Sequence, residues 1–220
     1  ELPLAYDGLA IVVNKDNNWL DKITVTELKK IWEPAAQGKI KTWNQVNSKW
    51  PKEEIHLFGP GTASGTFDYF TEAINGKAKD SRGDYTASED DNVLVQGIAG
   101  DKLALGYFGL SYFENNKDKL KLIPVDDEKK ENGDGAIVPT AETVQNGTYQ
   151  PLSRPLFIYV NKKSAEKPEV KTFVEFYMDN AAKLSTEVGY VQLPANVYDL
   201  AKKRFAAGTT GSAFKGKNGV

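Results

Sequence analysis

The residues with the clearest chemical potential form a glycine- and hydroxyl-rich loop that runs directly into a helical pattern. Residues 59–66 read Gly-Pro-Gly-Thr-Ala-Ser-Gly-Thr, and the apolar periodicity of a helix follows without a break. The first N–H groups of a helix have no partner inside the helix, and their dipoles attract negative charge. Because Ser64 and Thr66 add hydroxyl donors around Gly65, we expect these three residues to hold an oxyanion such as phosphate.

Two well-known phosphate loops do not fit this segment. No lysine precedes Thr66, as a P-loop would require. The spacing of Gly59, Gly61 and Gly65 is one residue longer than that of the dinucleotide-binding fingerprint. An alternative interpretation is a plain strand-to-helix turn in which Ser64 is the N-cap and no ligand binds. The loop pattern alone leaves both interpretations open.

A second candidate is Arg82, in the polar segment Ser81-Arg-Gly-Asp-Tyr85 downstream of the loop. A guanidinium can bind a phosphate through two N–H groups at once. The alternative role is a salt bridge, for which Asp84 is the nearest partner in sequence. The tripeptide at residues 82–84 also matches the motif that adhesion receptors recognise, although so short a match carries little weight.

Catalytic and metal-binding residue patterns are poorly represented. His56, the single histidine, lies inside a short apolar strand, and Ser64 lacks the nucleophile elbow of a hydrolase. The acidic run Glu89-Asp90-Asp91 is better explained by the dipole of a helix N-terminus than by a metal site. We therefore expect a protein that is not an enzyme and that holds neither a metal nor a cofactor.

Composition limits the classes of partner. The chain has 220 residues, 40% hydrophobic and 26% charged, with a formal net charge of −2 and no cysteine. The charge balance argues against nucleic acid as a partner, because no positive field would attract a polyanion. The absence of cysteine excludes disulfides and thiolate chemistry. An anion must then be held by local dipoles and one or two cations.

Predicted strands and helices alternate along the chain, which is typical of an α/β fold. The predicted strands cover residues 4–13, 55–58, 103–108, 120–125 and 156–160. The main predicted helices cover residues 27–32, 65–74, 88–100 and 168–184, with a last one after Pro194 and Ser88 as part of a capping box. Two strands end in the same Val-Asn-Lys sequence, at residues 13–15 and 160–162. They are either two crossings of a hinge or merely similar apolar strands.

Ordered matches along the whole chain point to a family. The chain resembles the substrate-binding proteins of phosphate ABC transporters, which have the type II periplasmic-binding-protein fold. The matching segments are residues 25–32, 40–44, 57–70, 84–92, 104–109, 146–156 and 188–191.

The resemblance implies an α/β fold of two lobes joined by two hinge crossings, with lobe 1 incomplete in this chain. Residues 15–154 would form lobe 2 and carry the anion loop. Residues 1–14 and 155–220 would form the hinge strands and the remainder of lobe 1.

The resemblance also implies capture of inorganic phosphate outside the cytoplasm for an ABC importer. Ser64, Gly65 and Thr66 match the family's Ser-Gly-Thr. Pro60 stands where some relatives place an arginine, so Arg82 or the absent part of lobe 1 must supply the cation. The aspartate that accepts the phosphate proton has no assigned position.

The expected partner is the transporter permease and the expected location periplasmic or extracellular. The protein would be peripheral to the membrane, with lipid anchoring open. A phosphate-ester hydrolase and an exported adhesion protein remain as alternatives.

Overall fold

The computed structural model describes residues 1–212, and residues 213–220 of the predicted lobe 1 range lie outside this description. The described strands are β1 (Leu2–Asn14), β2 (Ile23–Thr24), β3 (His56–Pro60), β4 (Thr86–Ser88), β5 (Ala104–Gly109), β6 (Leu120–Leu122), β7 (Val125–Asp126), β8 (Ser153–Ile158) and β9 (Val191–Gln192). The described helices are α1 (Val25–Trp32), α2 (Trp43–Val46), α3 (Gly65–Asn75), α4 (Asp91–Ala99), α5 (Leu110–Glu114), α6 (Ala141–Gln145), α7 (Pro168–Glu187) and α8 (Ala195–Ala206).

The first strand organises the fold. The sheet follows the order β4-β3-β5-β1-β6, and β8 and β9 also pair with β1. Residues 2–8 of β1 pair with β8, whereas residues 9–14 pair with β5 and β6. Every residue of β1 is buried, as its run of leucine, isoleucine, valine and alanine predicts for a strand covered on both faces. The strand therefore joins two groups of strands into one sheet.

The predicted hinge strands lie side by side, but not through their Val-Asn-Lys ends. The β1–β8 pairing runs from Leu2 opposite Ile158 to Gly8 opposite Ser153. Strand β8 ends before Val160, and the other copy of the motif lies at the end of β1 that pairs with β6. Strand β1 changes its pairing partner near Gly8. This change comes before residue 15, where the predicted lobe 2 begins. The division into residues 15–154 and the remainder stays a prediction.

Two predicted elements differ from those observed. The strand at residues 120–125 is split into β6 and β7, which belong to different sheets, because Pro124 between them lacks an N–H for a ladder. Helix α4 is capped by Asp90, whose carboxylate accepts the Asn92 N–H, and not by Ser88. Ser88 instead exchanges hydrogen bonds with the backbone of Asp90.

Aromatic packing fixes the helix that follows the glycine-rich loop. Helix α3 buries Phe67, Phe70, Thr71 and Ile74 against the sheet. The Phe70 ring stacks on that of Tyr107 at a centroid distance of 3.7 Å, and Trp32 meets both rings edge-on. Since β3 runs parallel to β4 and β5, the loop and the start of α3 lie at the carboxyl ends of parallel strands, where α/β proteins bind ligands.

A helix that crosses a bilayer must be both long and apolar. Among residues 1–212, no helix combines the two properties that a bilayer crossing requires.

Candidate functional site

The loop between β3 and α3 has the predicted strand–turn–helix geometry. Strand β3 ends at Pro60 and the helix begins at Gly65. Ser64 is the N-cap, and its Oγ accepts the Thr66 N–H at 3.1 Å. The Ser64 N–H donates to the Gly61 carbonyl at 3.1 Å. Two of the three backbone donors expected to face an anion are therefore engaged within the loop.

Gly65 and the two hydroxyl groups supply the donors that are left. Gly65 is exposed, and within residues 1–212 its N–H meets no hydrogen-bond acceptor. The Ser64 hydroxyl accepts the capping bond, which leaves its own proton free to donate. The Thr66 hydroxyl is half-buried and makes no hydrogen bond to the described protein. Capping by Ser64 is thus compatible with an anion at the helix start.

Glu89 occupies the other side of the loop. Its Oε1 accepts the Ala63 N–H at 3.2 Å. A Cβ on Gly61 would stand only 2.1 Å from the same oxygen, so the carboxylate lies directly against the glycine. The acidic run does not form a metal site in the described part of the chain, where no group of three suitable ligands occurs. Glu89 therefore meets the loop at Gly61 and Ala63, before the helix begins.

Arg82 is not brought to the loop. Its side chain is buried, with Nε and Nη2 donating to the Asp84 carboxylate at 2.6 and 2.9 Å. Nη1 donates to the carbonyl groups of Ile31 and Ile40, each at 3.1 Å. The hydrogen bonds from Arg82 to the Asp84 carboxylate lower the pKa of Asp84 to about 2. Arg82 therefore forms the salt bridge with Asp84 that was the alternative to an anion contact.

The guanidinium beside the loop belongs to Arg154, which the sequence did not single out. Its Nη2 lies 3.8 Å from the position that a Cβ on Gly65 would occupy. Its guanidinium carbon is 4.5 Å from the centroid of the Tyr69 ring. The only sequence signal was the segment at residues 146–156, which matches the family but does not reveal that Arg154 meets α3.

Asp7 is the second charged residue at this place. It stands opposite Arg154 in the β1–β8 pairing, so both side chains share one face of the sheet. Nε and Nη2 of Arg154 donate to Asp7 Oδ2 at 3.4 and 3.3 Å. Burial raises the pKa of Asp7, and the charge and hydrogen bonds of Arg154 oppose this increase. The other carboxylate oxygen, Oδ1, has no hydrogen-bond partner within the described chain.

The two arginines differ in the donors that remain. Arg82 uses Nε, both Nη1 hydrogens and one Nη2 hydrogen on protein acceptors. Arg154 uses Nε and one Nη2 hydrogen, and both contacts are long for charged hydrogen bonds. Within the described chain, Nη1 of Arg154 has no acceptor. Arg154 is thus the arginine equipped to bind a further anion.

His56 lies apart from these groups. Its Nδ1 is 2.5 Å from Asp101 Oδ2, and its Nε2 is 3.7 Å from Glu54 Oε2. These contacts hold the ring at the start of β3, at the opposite end of the strand from Ser64. The described residues therefore contain no serine–histidine pair at the loop.

Comparison with known proteins defines the class. Residues 1–181 match the family model described as the PBP superfamily domain, so this chain belongs to that family. The predicted periplasmic-binding-protein fold is confirmed.

Two curated proteins are similar to this chain over most of its length. The chain is 50% identical over 219 residues to Protein SphX of Synechocystis, matching 99% of this chain and 64% of that protein. It is 40% identical over 201 residues to Phosphate-binding protein PstS of Staphylococcus saprophyticus, matching 59% of that protein. The chain thus spans less than two thirds of the length of these curated relatives.

Solved structures give the same result. A possible phosphate binding protein from Planctomyces limnophilus superposes with a TM-score of 0.84 at 46% identity, covering 95% of this chain and 72% of that one. An ABC-type phosphate transport receptor from Vibrio cholerae superposes with a TM-score of 0.67 at 26% identity, covering 87% and 71%. The fold around Gly65 and Arg154 is therefore shared with proteins named for phosphate.

Proposed function

We propose that this chain is part of an extracytoplasmic substrate-binding protein that captures inorganic phosphate for an ABC importer. The names of its relatives, PstS and a phosphate transport receptor, support the ligand and the transport role. The observation that carries the proposal is the exposed Gly65, whose N–H has no acceptor in the described chain, with Arg154 Nη2 3.8 Å from the position of a Cβ on that glycine. This is a positive site on a chain whose net charge is −2.

Four groups would make this chain's share of the phosphate cage. The Gly65 N–H and the hydroxyls of Ser64 and Thr66 would donate to the oxygens from the tip of α3. Arg154 would add a charged donor and take the role that the sequence had suggested for Arg82. Each of these donors gains strength when water is excluded, because the local dielectric constant falls. Capture would therefore tighten when the two predicted lobes close around the phosphate.

Asp7 would give selectivity. Its unpaired Oδ1 can accept a hydrogen bond only from an anion that still carries a proton. Monohydrogen phosphate has such a proton at neutral pH, whereas sulfate has none and would meet an uncompensated carboxylate. The burial of Asp7 strengthens this discrimination, because water only weakly screens the repulsion between a mostly buried carboxylate and an unprotonated anion.

The proposed action is capture without chemistry. Asp7 and Arg154 lie on β1 and β8, the paired strands that a hinge between two lobes would use. The closed form would then dock on a membrane permease that releases the phosphate. Such a protein works in the periplasm or outside the cell, peripheral to the membrane.

The alternatives have less support. A phosphate-ester hydrolase needs a base or metal near Ser64, and His56 is engaged with Asp101 instead. An adhesion role needs an accessible Arg-Gly-Asp loop, but here the Arg82 and Asp84 side chains bind each other. Turnover of a chromogenic phosphate ester that is lost in Ser64→Ala would revive the hydrolase hypothesis.

Calorimetry on the longest natural form of the protein tests the proposal. Phosphate, sulfate and a phosphate monoester would be titrated in turn into the native protein and into Asp7→Asn. We expect heat from phosphate alone with the native protein. The asparagine variant should lose discrimination against sulfate, because its amide can donate to an unprotonated oxyanion. Absence of phosphate heat from the folded native protein would refute the function, and equal binding of sulfate would refute the role of Asp7.

A further inference from the structure

We propose that Tyr69 is a positioning residue that holds Arg154 at the start of α3. This inference rests on the proposed function, in which Arg154 binds the anion. Tyr69 does not need to touch the anion itself. It would act through both parts of its side chain, the ring and the hydroxyl group.

The ring carries the guanidinium. The guanidinium carbon of Arg154 lies 4.5 Å from the centroid of the Tyr69 ring, within the range of a cation–π contact. Tyr69 belongs to the first turns of α3, the helix whose N-terminus holds Gly65. The ring is therefore the surface on which the guanidinium rests while its Nη2 lies beside Gly65.

The hydroxyl group ties α3 to the chain segment that leads to Arg154. It shares its proton between the carbonyl oxygens of Pro151 and Ser153, at 2.6 and 2.7 Å. Ser153 directly precedes Arg154 at the beginning of β8. The same side chain thus fixes the backbone next to Arg154 and supports its charged end. Burial also raises the pKa of Tyr69, which keeps the hydroxyl protonated as a donor.

Other contacts of Arg154 are too weak to fix its position. Its two bonds to Asp7 Oδ2 are 3.3 and 3.4 Å long, near the limit for hydrogen bonds. The pairing with Asp7 fixes the face of the sheet on which the side chain lies but leaves the guanidinium free to turn. A long arginine side chain has several rotamers, so an aromatic support reduces the entropy lost on binding. Tyr69 would supply that preorganisation.

The test is a double-mutant cycle between Tyr69 and Arg154, read as the affinity for inorganic phosphate. Tyr69→Phe keeps the ring and loses the hydroxyl, whereas Tyr69→Leu loses both. We expect Tyr69→Leu to weaken binding roughly tenfold, the size of a partly desolvated cation–π contact, and Tyr69→Phe to weaken it less. In an Arg154→Met background, which places no cation over the ring, Tyr69→Leu should change the affinity by less than about twofold.

Tyr198→Phe is the matched control. The Tyr198 hydroxyl also donates to a backbone carbonyl, that of Leu4 at 2.7 Å, and neither partner belongs to the loop. Its loss should lower the melting temperature without changing phosphate affinity. Full affinity in Tyr69→Leu, or an equal loss in the Arg154→Met background, would overturn the positioning role.

A measurement without phosphate separates this inference from the proposed function. A guanidinium over an aromatic face experiences the ring current, so the Arg154 Nε–H proton resonance should be shifted in the native protein and in Tyr69→Phe. The shift should disappear in Tyr69→Leu. If the native protein shows this shift but binds no phosphate, the function fails and the positioning stands. An unchanged Arg154 resonance in folded Tyr69→Leu would refute the positioning, whatever phosphate does.

Discussion

Arg154 lies directly in front of Gly65, with its Nη2 3.8 Å from the place where a Cβ on that glycine would stand. One residue comes from β8 and the other from the first turn of α3. A charged donor therefore lies near the residue whose backbone N–H has no acceptor in the described chain, a pairing suited to an anion that bridges both.

Gly65→Ala is expected to weaken phosphate binding without harming the fold. The backbone of Gly65 is not in the left-handed region, and an added methyl group would contact Arg154 at an ordinary van der Waals distance. Alanine also favours helix over glycine by about 1 kcal/mol or less. We therefore expect an unchanged or slightly higher melting temperature and a loss of phosphate affinity of roughly tenfold, because the methyl group would fill space beside Arg154 Nη2 that a bridging anion would need. Calorimetry and thermal unfolding measure the two effects.

Gly76→Ala provides the contrast for this prediction. Gly76 ends α3 with φ of 87°, where a side chain is strained, and has open space around it. Its substitution should lower stability and leave affinity intact. Unchanged phosphate affinity in Gly65→Ala would mean that the anion does not use this face of the helix.

The two arginines should separate binding from stability. Arg154→Lys loses the planar fork, and we expect phosphate affinity to fall at least about tenfold with a small change in stability. Arg82→Ala removes a buried cation that serves Asp84 and two carbonyl groups. It should cost about 3 kcal/mol of unfolding free energy and leave the affinity of the folded protein unchanged. A large loss of affinity in a folded Arg82 variant would restore the sequence-based prediction for that residue.

The Arg82–Asp84 pair also predicts a dependence of stability on pH. The pKa of Asp84 is lowered to about 2 in the folded chain, mainly by hydrogen bonds from Arg82, compared with about 3.9 when unfolded. A carboxyl group whose pKa is lower in the folded state stabilises fully above the unfolded value and loses this contribution as the pH falls toward 2. The unfolding free energy, measured with denaturant at each pH, should therefore fall less steeply between pH 5 and 2 in Asp84→Asn than in the native protein.

Asp21→Asn is the control for this pH series. Asp21 is 83% exposed, and within the described chain it pairs with Lys121 alone. Loss of this exposed charge should leave the fall of unfolding free energy between pH 5 and 2 nearly unchanged. Identical slopes for native protein and Asp84→Asn would contradict the assigned pairing.

Glu89→Gln should strengthen phosphate binding. The carboxylate lies against Gly61 and accepts the N–H of Ala63, two residues before Gly65. Glutamine retains an acceptor for that N–H but removes the negative charge. We expect a gain in affinity of about threefold that shrinks with added salt, because the charge is exposed to solvent and screened. Glu175→Gln, the same charge change on α7, should have no effect. Weaker binding in Glu89→Gln at low salt would contradict a purely electrostatic role.

The local elements were predictable from the sequence because they depend on short-range patterns. The apolar run of β1 and the turn from Gly59 into α3 follow from burial and helix-start chemistry, and both are confirmed. The break after Leu122 was missed because Pro124 was read as part of a continuous apolar run. Capping by Ser64 was expected as the alternative to anion binding. In the structure this cap occurs together with a Gly65 N–H that has no acceptor in the described chain.

The charged part of the site was beyond sequence reasoning. Arg82 is the arginine that follows the loop most closely in sequence. Its guanidinium binds the carboxylate of Asp84, two residues away, and not an anion at the start of α3. Arg154 and Asp7 are far apart in sequence and meet through the β1–β8 register, which no local pattern encodes. Strand register, and not composition, therefore decided which cation reaches Gly65.

The most direct test is to follow the backbone amide signals of the native protein by NMR while inorganic phosphate is added. The predicted result is that the Gly65 amide shifts most and that the Arg154 Nε–H signal moves with it, because phosphate oxygens accept from the Gly65 N–H and from the guanidinium group to which Nε belongs. Phosphate binding that leaves both signals in place while amides elsewhere move would contradict an anion site at the start of α3.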